Sequence, residues 1–93
     1  MPVQKRHEDD FDFVFHCPGC GVGHGVWVNN INGPKWGFNG DMERPTFSPS
    51  IRVRHHNNGV DVLCHSFVTD GKIYFLDDCT HDLKGYTVDM EDI

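Results

Sequence analysis

The sequence predicts a small, mostly β, zinc-ribbon-like domain: an N-terminal hairpin carrying a C-x-x-C turn, then a three-stranded antiparallel meander, with at most one short helical turn. Three observations carry that prediction. Phe11, Phe13 and Phe15 alternate with polar or smaller residues just before Cys17-Pro18-Gly19-Cys20, the period-2 pattern of a strand running into a turn. Asn58-Gly59 and Asp70-Gly71 separate three extended runs in the second half, and such pairs are strong hairpin signals. No window sustains a helical period.

The 93 residues make one domain with little core. A chain this short buries only about 60–65% of the surface its unfolded form exposes, so a covalent or metal staple is often needed. Four cysteines can supply it as disulfides or as ligands. The charged start and the lack of an apolar run after it predict no secretory signal, and no run approaches the roughly 20 apolar residues of a membrane span. The expected setting is a reducing cytoplasm, where thiols persist and metal binding is favoured over disulfides. A net charge of −6, from 14 acidic and 8 basic side chains, disfavours a broad nucleic-acid groove, which works by releasing counterions to lysine and arginine. Seven histidines enlarge the pool of metal ligands.

In chain order, residues 1–10 read as a flexible arm and residues 11–93 as the single zinc-binding β domain. Residues 11–28 read as a hairpin with the ligand turn at its tip, where Gly19 and Gly21 are free to take unusual backbone angles. Asn29 to Pro34 is dense in turn formers. Trp36-Gly37-Phe38 reads as a brief strand. Pro45 and Pro49 lie in a stretch that therefore reads as an extended connector, on the surface or at a sheet edge. The meander runs from Ile51 through Val60 and Val68 to Leu76. Thr80 to Gly85 reads as one helical turn, capped by Thr80, and Tyr86 to Met90 as a final strand.

Zinc takes four ligands, and C-x-x-C is a common local source of two. With Asp70-Gly71 as a two-residue turn, Thr69 pairs with Lys72 and Cys64 lies across from Asp77. Side chains alternate along each strand, so Cys64 and Cys79 then share the core face with Val62, Ile73 and Phe75. The expected ligands are Cys17, Cys20, Cys64 and Cys79, with His81, His65 and His24 as alternatives, and the expected cofactor is Zn2+. Asp77, Asp78 and Asp82 are placed to orient a ligating imidazole. Cys64 also reads as a plain buried thiol.

With Asn58-Gly59 as the other turn, Arg52 lies across from His65 and Arg54 across from Leu63. The face away from the metal would then carry Arg52, Arg54, His65, Phe67 and Tyr74. Basic groups among aromatics bind peptides or nucleotides, or form an outer face on which arginine stems cover rings.

The runs F-H-C-P-G-C-G-x-x-H, W-x-F-N-G-D-x-x-R-P-T-F-S-P-S-I and C-H-S-F-V-x-D-G-x-I-x-F-L-D-D-C-T-H-x-L-x-G-x-T-V span Phe13 to Val88. They resemble a family of small Cys/His-rich phage and prophage proteins. The resemblance implies a phage origin, a host bacterial cytoplasm and a Cys/His metal site. It also implies roles beyond turn chemistry for Asn39-Gly40-Asp41, Arg44-Pro45-Thr46 and Ser48-Pro49-Ser50. Members often carry the label ammonia monooxygenase, a multi-span membrane enzyme for which this chain has no span.

The leading functional expectation is a zinc-binding protein-interaction module whose partner is a protein, such as a host factor or a component of host defence. The alternatives are a zinc-dependent hydrolase with an open metal position, using Asp77, Asp78 or His65 as base, and a nucleic-acid-binding zinc ribbon.

Overall fold

Alternation around the C-x-x-C motif builds the first sheet. In the computed structural model, which describes residues 1–5, 12–28, 35–57 and 59–92, β2 (Phe13–Cys17) pairs antiparallel with β3 (Val22–Val26). Gly21 N–H closes the intervening turn on Cys17 C=O at 2.8 Å. Phe11, the alternating residue before Phe13, lies outside the described residues, as do Asn29 to Pro34 and Asn58. A third strand, β1 (Val3–Lys5), pairs with β2, setting Val3 opposite Phe15. Residues 3–5 are therefore part of the sheet rather than of a loose arm. Val3 is fully buried beside Phe15, and that burial acts together with the pairing to β2 to hold the strand.

The second sheet has the order β4-β5-β6-β7-β8, with β4 (Gly37–Phe38), β5 (Phe47–Asn57), β6 (Val60–Thr69), β7 (Lys72–Phe75) and β8 (Thr87–Asp89). The central three strands are the expected meander. Arg52 pairs with His65, Arg54 with Leu63 and Thr69 with Lys72, the register that the two turns dictate. Asp70 (φ 52°) and Gly71 (φ 75°) both take left-handed backbone angles, which match the twist of the strands that they join.

The proline-bearing segment behaves differently from a surface connector. Pro45 and Phe47 are buried, and Phe47-Ser48 lies between β4 and β6 rather than at an edge, with Phe47 paired to both Phe38 and Val68. Proline is tolerated there because the β5–β6 register shifts between Phe47 and Ile51, and a bulge removes the ladder bond that proline cannot make. Between Thr80 and Gly85 the chain forms hydrogen-bonded turns, Lys84 N–H to His81 C=O and Tyr86 N–H to Leu83 C=O, and no helix forms among the described residues.

The two sheets bury one core. Phe15, Cys17 and Val26 from the first meet Phe47, Ile51, Cys64, Val68, Ile73 and Phe75 from the second. Phe47 stacks on Phe38 at 4.9 Å and faces Phe15 at 6.5 Å, so it ties the sheets together. No helix among the described residues is long and apolar enough to cross a membrane.

Candidate metal centre and candidate active site

The C-x-x-C turn, β6 and the turns after β7 meet at one end of the core. Sγ of Cys17, Cys20 and Cys64 and a ring nitrogen of His81 all lie within 4.8 Å of one another. Cys17 Sγ is 3.8 Å from Cys64 Sγ, and His81 Nε2 is 3.4 Å from Cys64 Sγ. Metal–sulfur bonds of about 2.3 Å and metal–nitrogen bonds of about 2.0–2.1 Å at tetrahedral angles give edges of roughly 3.8 and 3.6 Å. The Cys17–Cys64 and Cys64–His81 edges match those of a tetrahedral Cys3His site, and the four groups can hold a metal ion.

The turn is shaped for this. Cys20 N–H lies 3.4 Å from Cys17 Sγ. A Cβ on Gly19 would stand 2.3 Å from Cε1 of His81, so only glycine lets the imidazole close over the turn. Phe75 holds the other side of that ring edge-on at 4.7 Å. Leu83 N–H reaches His81 Nδ1 at 3.2 Å; a metal on Nε2 would put the ring proton on Nδ1, so the loaded site gives up that bond. The thiols share charge. Hydrogen bonding from Cys64 holds Cys17 down to about 3, while burial pushes Cys20 up to about 12. Cys64 is raised because it donates to Cys17 and is itself buried.

Among the expected ligands, Cys17, Cys20 and Cys64 come together with His81, and His81 stands where Cys79 was expected. Strand alternation ends at Phe75, and the chain then turns. Leu76 N–H bonds His65 C=O, Cys79 N–H bonds Leu76 C=O, and Thr80 N–H bonds Leu63 C=O. This turn leaves Cys79 buried against the backbone of His65, accepting its N–H and donating to its C=O, each at 3.2 Å. His24 is buried with its ring edge-on to Phe15 at 5.7 Å and is not among the four clustered donors.

His65 belongs to a second constellation on the opposite face of β6. Its Nδ1 lies 3.0 Å from Asp78 Oδ2, and its Nε2 lies 3.0 Å from Ser50 Oγ. A carboxylate on Nδ1 keeps the proton of the neutral ring there and leaves the Nε2 lone pair facing the hydroxyl. That is the Ser–His–Asp arrangement in which the imidazole takes the hydroxyl proton as the oxygen attacks a carbonyl. Each member is placed by a distinct local feature. His65 is positioned by pairing with Arg52, Ser50 by the register shift beside Pro49, and Asp78 by the turn that carries Cys79. The expected outer face is there: Arg52 and Arg54 are exposed, as are Phe67 and Tyr74, on the same face as His65.

The sequence reading named His65 as an alternative ligand and as part of the face away from the metal, and named His65 and Asp78 as candidate bases for a metal-bound water; it did not name Ser50 as a nucleophile. The signal was in the register, since Arg52 opposite His65 puts Ser50, two residues earlier, within one step of the same imidazole.

A family model described as a bacterial ubiquitination-like system serine protease (BubE) matches residues 2–76. That match carries neither the phage origin nor the ammonia monooxygenase label implied by the motif resemblance. No curated protein and no solved structure matched the chain.

Proposed function

This chain belongs to the BubE family, and from that premise we infer that it is a serine peptidase of a bacterial ubiquitination-like system, with Ser50 as nucleophile, His65 as general base and Asp78 as the group that orients the base. The single observation that carries this reading is the pair of 3.0 Å contacts that His65 makes, one to each partner. Ser50 Oγ attacks the scissile carbonyl while His65 Nε2 takes its proton. His65 then passes that proton to the leaving amine, and water, deprotonated by the same nitrogen, releases the acyl group and restores Ser50. Asp78 stabilises the imidazolium in both halves of the cycle.

The metal in this reading is zinc, and it is structural. Three sulfurs and one nitrogen complete a tetrahedral set, which leaves no open position for water. This favours the triad over a zinc-activated hydroxide. When bound, zinc would join the C-x-x-C turn to Cys64, next to His65, and to His81, three residues after Asp78. The expected protein partner becomes a substrate, a conjugate or precursor of a ubiquitin-like modifier from the same system.

The test is cleavage of such a modifier fusion by wild type and by Ser50→Ala, with metal content measured on both. The reading expects cleavage by the wild type only, at equal metal content. Equal cleavage by both would refute it.

A further inference from the structure

We propose that an extended, acidic segment of the substrate docks in the groove between β3 and the free edge of β5, beside Ser50. The proposal rests on the peptidase reading and adds to it which part of the substrate is read, and how.

β5 is paired with β4 only through Phe47 and Ser48. From Ile51 onward its edge on that side has no strand partner among the described residues, and β3 is likewise the outer strand of its sheet. Between the two lies a groove of about 330 Å³, lined by Gly23, Gly25, Trp27, Trp36, Arg52 and Arg54 among others. A free strand edge beside a groove is a site for strand addition, in which backbone bonds give affinity and alternate side chains give selectivity.

Four features say what enters. Ser50 C=O is already turned to this side, where it accepts Trp36 Nε1–H at 3.2 Å, so the groove starts at the nucleophile. Gly23 has no backbone need to be glycine: it does not take a left-handed angle, and a Cβ there would meet only Phe15 O at an ordinary 3.6 Å. A strand glycine marks a bulge, a tight bend or the close approach of a ligand or another backbone, and the β2–β3 register runs through Gly23 without a bulge. Arg52 and Arg54 then stand at alternate positions on a chain of net charge −6. That spacing complements carboxylates at alternate positions of an extended peptide. Trp27 and Trp36, stacked at 6.1 Å, supply an apolar wall.

The test uses Ser50→Ala, which binds without turnover, titrated with peptides carrying either acidic or neutral residues at alternate positions, with tryptophan fluorescence as the readout. The acidic peptide should bind at least tenfold more tightly than the neutral one. Arg52→Glu/Arg54→Glu should abolish that preference, and Gly23→Val should weaken both peptides. In parallel, labelling of the wild-type protein, with Ser50 present, by a small fluorophosphonate reports whether Ser50 is a nucleophile. Binding that obeys this pattern without labelling would sink the peptidase reading and leave the groove standing. Labelling without any dependence of binding on the arginine pair or Gly23 would overturn the groove proposal alone.

Discussion

Cys64 and His65 are neighbours in the chain and face opposite sides of β6: the thiol sits 3.8 Å from Cys17 in the metal cluster, and the imidazole sits 3.0 Å from Ser50 in the triad. The turn after β7 repeats the division, since Asp78 bonds the imidazole while His81 meets the thiol. A metal held on one face would therefore fix the two segments that carry the proposed base and its orienting carboxylate on the other, and its loss should be felt in the proposed catalysis without the metal touching substrate.

Asp78→Asn keeps the shape of the orienting group and removes its charge, so the ring loses its preferred tautomer. The expected outcome is a kcat lowered by ~10²–10⁴-fold, with KM and metal content unchanged. Steady-state kinetics on a cleavable fusion, with zinc quantified on the same samples, checks it.

Cys64→Ser and Cys79→Ser should part company. The first removes a donor from the cluster and should release the metal and, with it, most activity. The second leaves the four donors intact and weakens the thiol's contacts with the backbone of His65, at a cost of about 1–3 kcal/mol. Metal stoichiometry and thermal unfolding of both variants distinguish them.

Gly19→Ala is the smallest change that attacks the metal site without altering a donor. Its Cβ would overlap the His81 ring, so the imidazole must leave. We expect metal affinity to fall at least tenfold with the β-sheet circular dichroism retained, to the level of His81→Ala.

Without metal, the cluster should hold one thiolate at neutral pH, because Cys17 is held down to about 3 while Cys20 is pushed up to about 12 and Cys64 is raised. Filling a three-thiolate site then expels about two protons. Protons compete with the metal, so affinity should fall as pH drops below 12, by about two decades per pH unit near neutrality while Cys17 stays ionised. Calorimetric titrations in buffers of different ionisation enthalpy count the protons.

The meander and its register were legible because Asn58-Gly59 and Asp70-Gly71 each allow only a tight two-residue turn, and alternation does the rest across Arg52, His65, Thr69 and Lys72. The reading was weakest where alternation stops, and there it held His81 only as an alternative to Cys79. Past Phe75 the chain is ordered by backbone bonds to Leu63 and His65, which no local pattern reveals, so Cys79 was ranked ahead of His81, the residue that joins the cluster. At Pro49 the β5–β6 register shifts, and a sequence read as a proline connector hid Ser50 as a candidate nucleophile. Val3 escaped notice because a three-residue strand has no period to read.

The central claim is that Ser50, activated by His65, is a nucleophile. The direct measurement is reaction of the metal-loaded protein with a fluorophosphonate, followed by peptide mass spectrometry. The account predicts one adduct, on Ser50, that is absent from Ser50→Ala and strongly reduced in His65→Ala. An unmodified Ser50, or an adduct on another residue that survives Ser50→Ala, would contradict it.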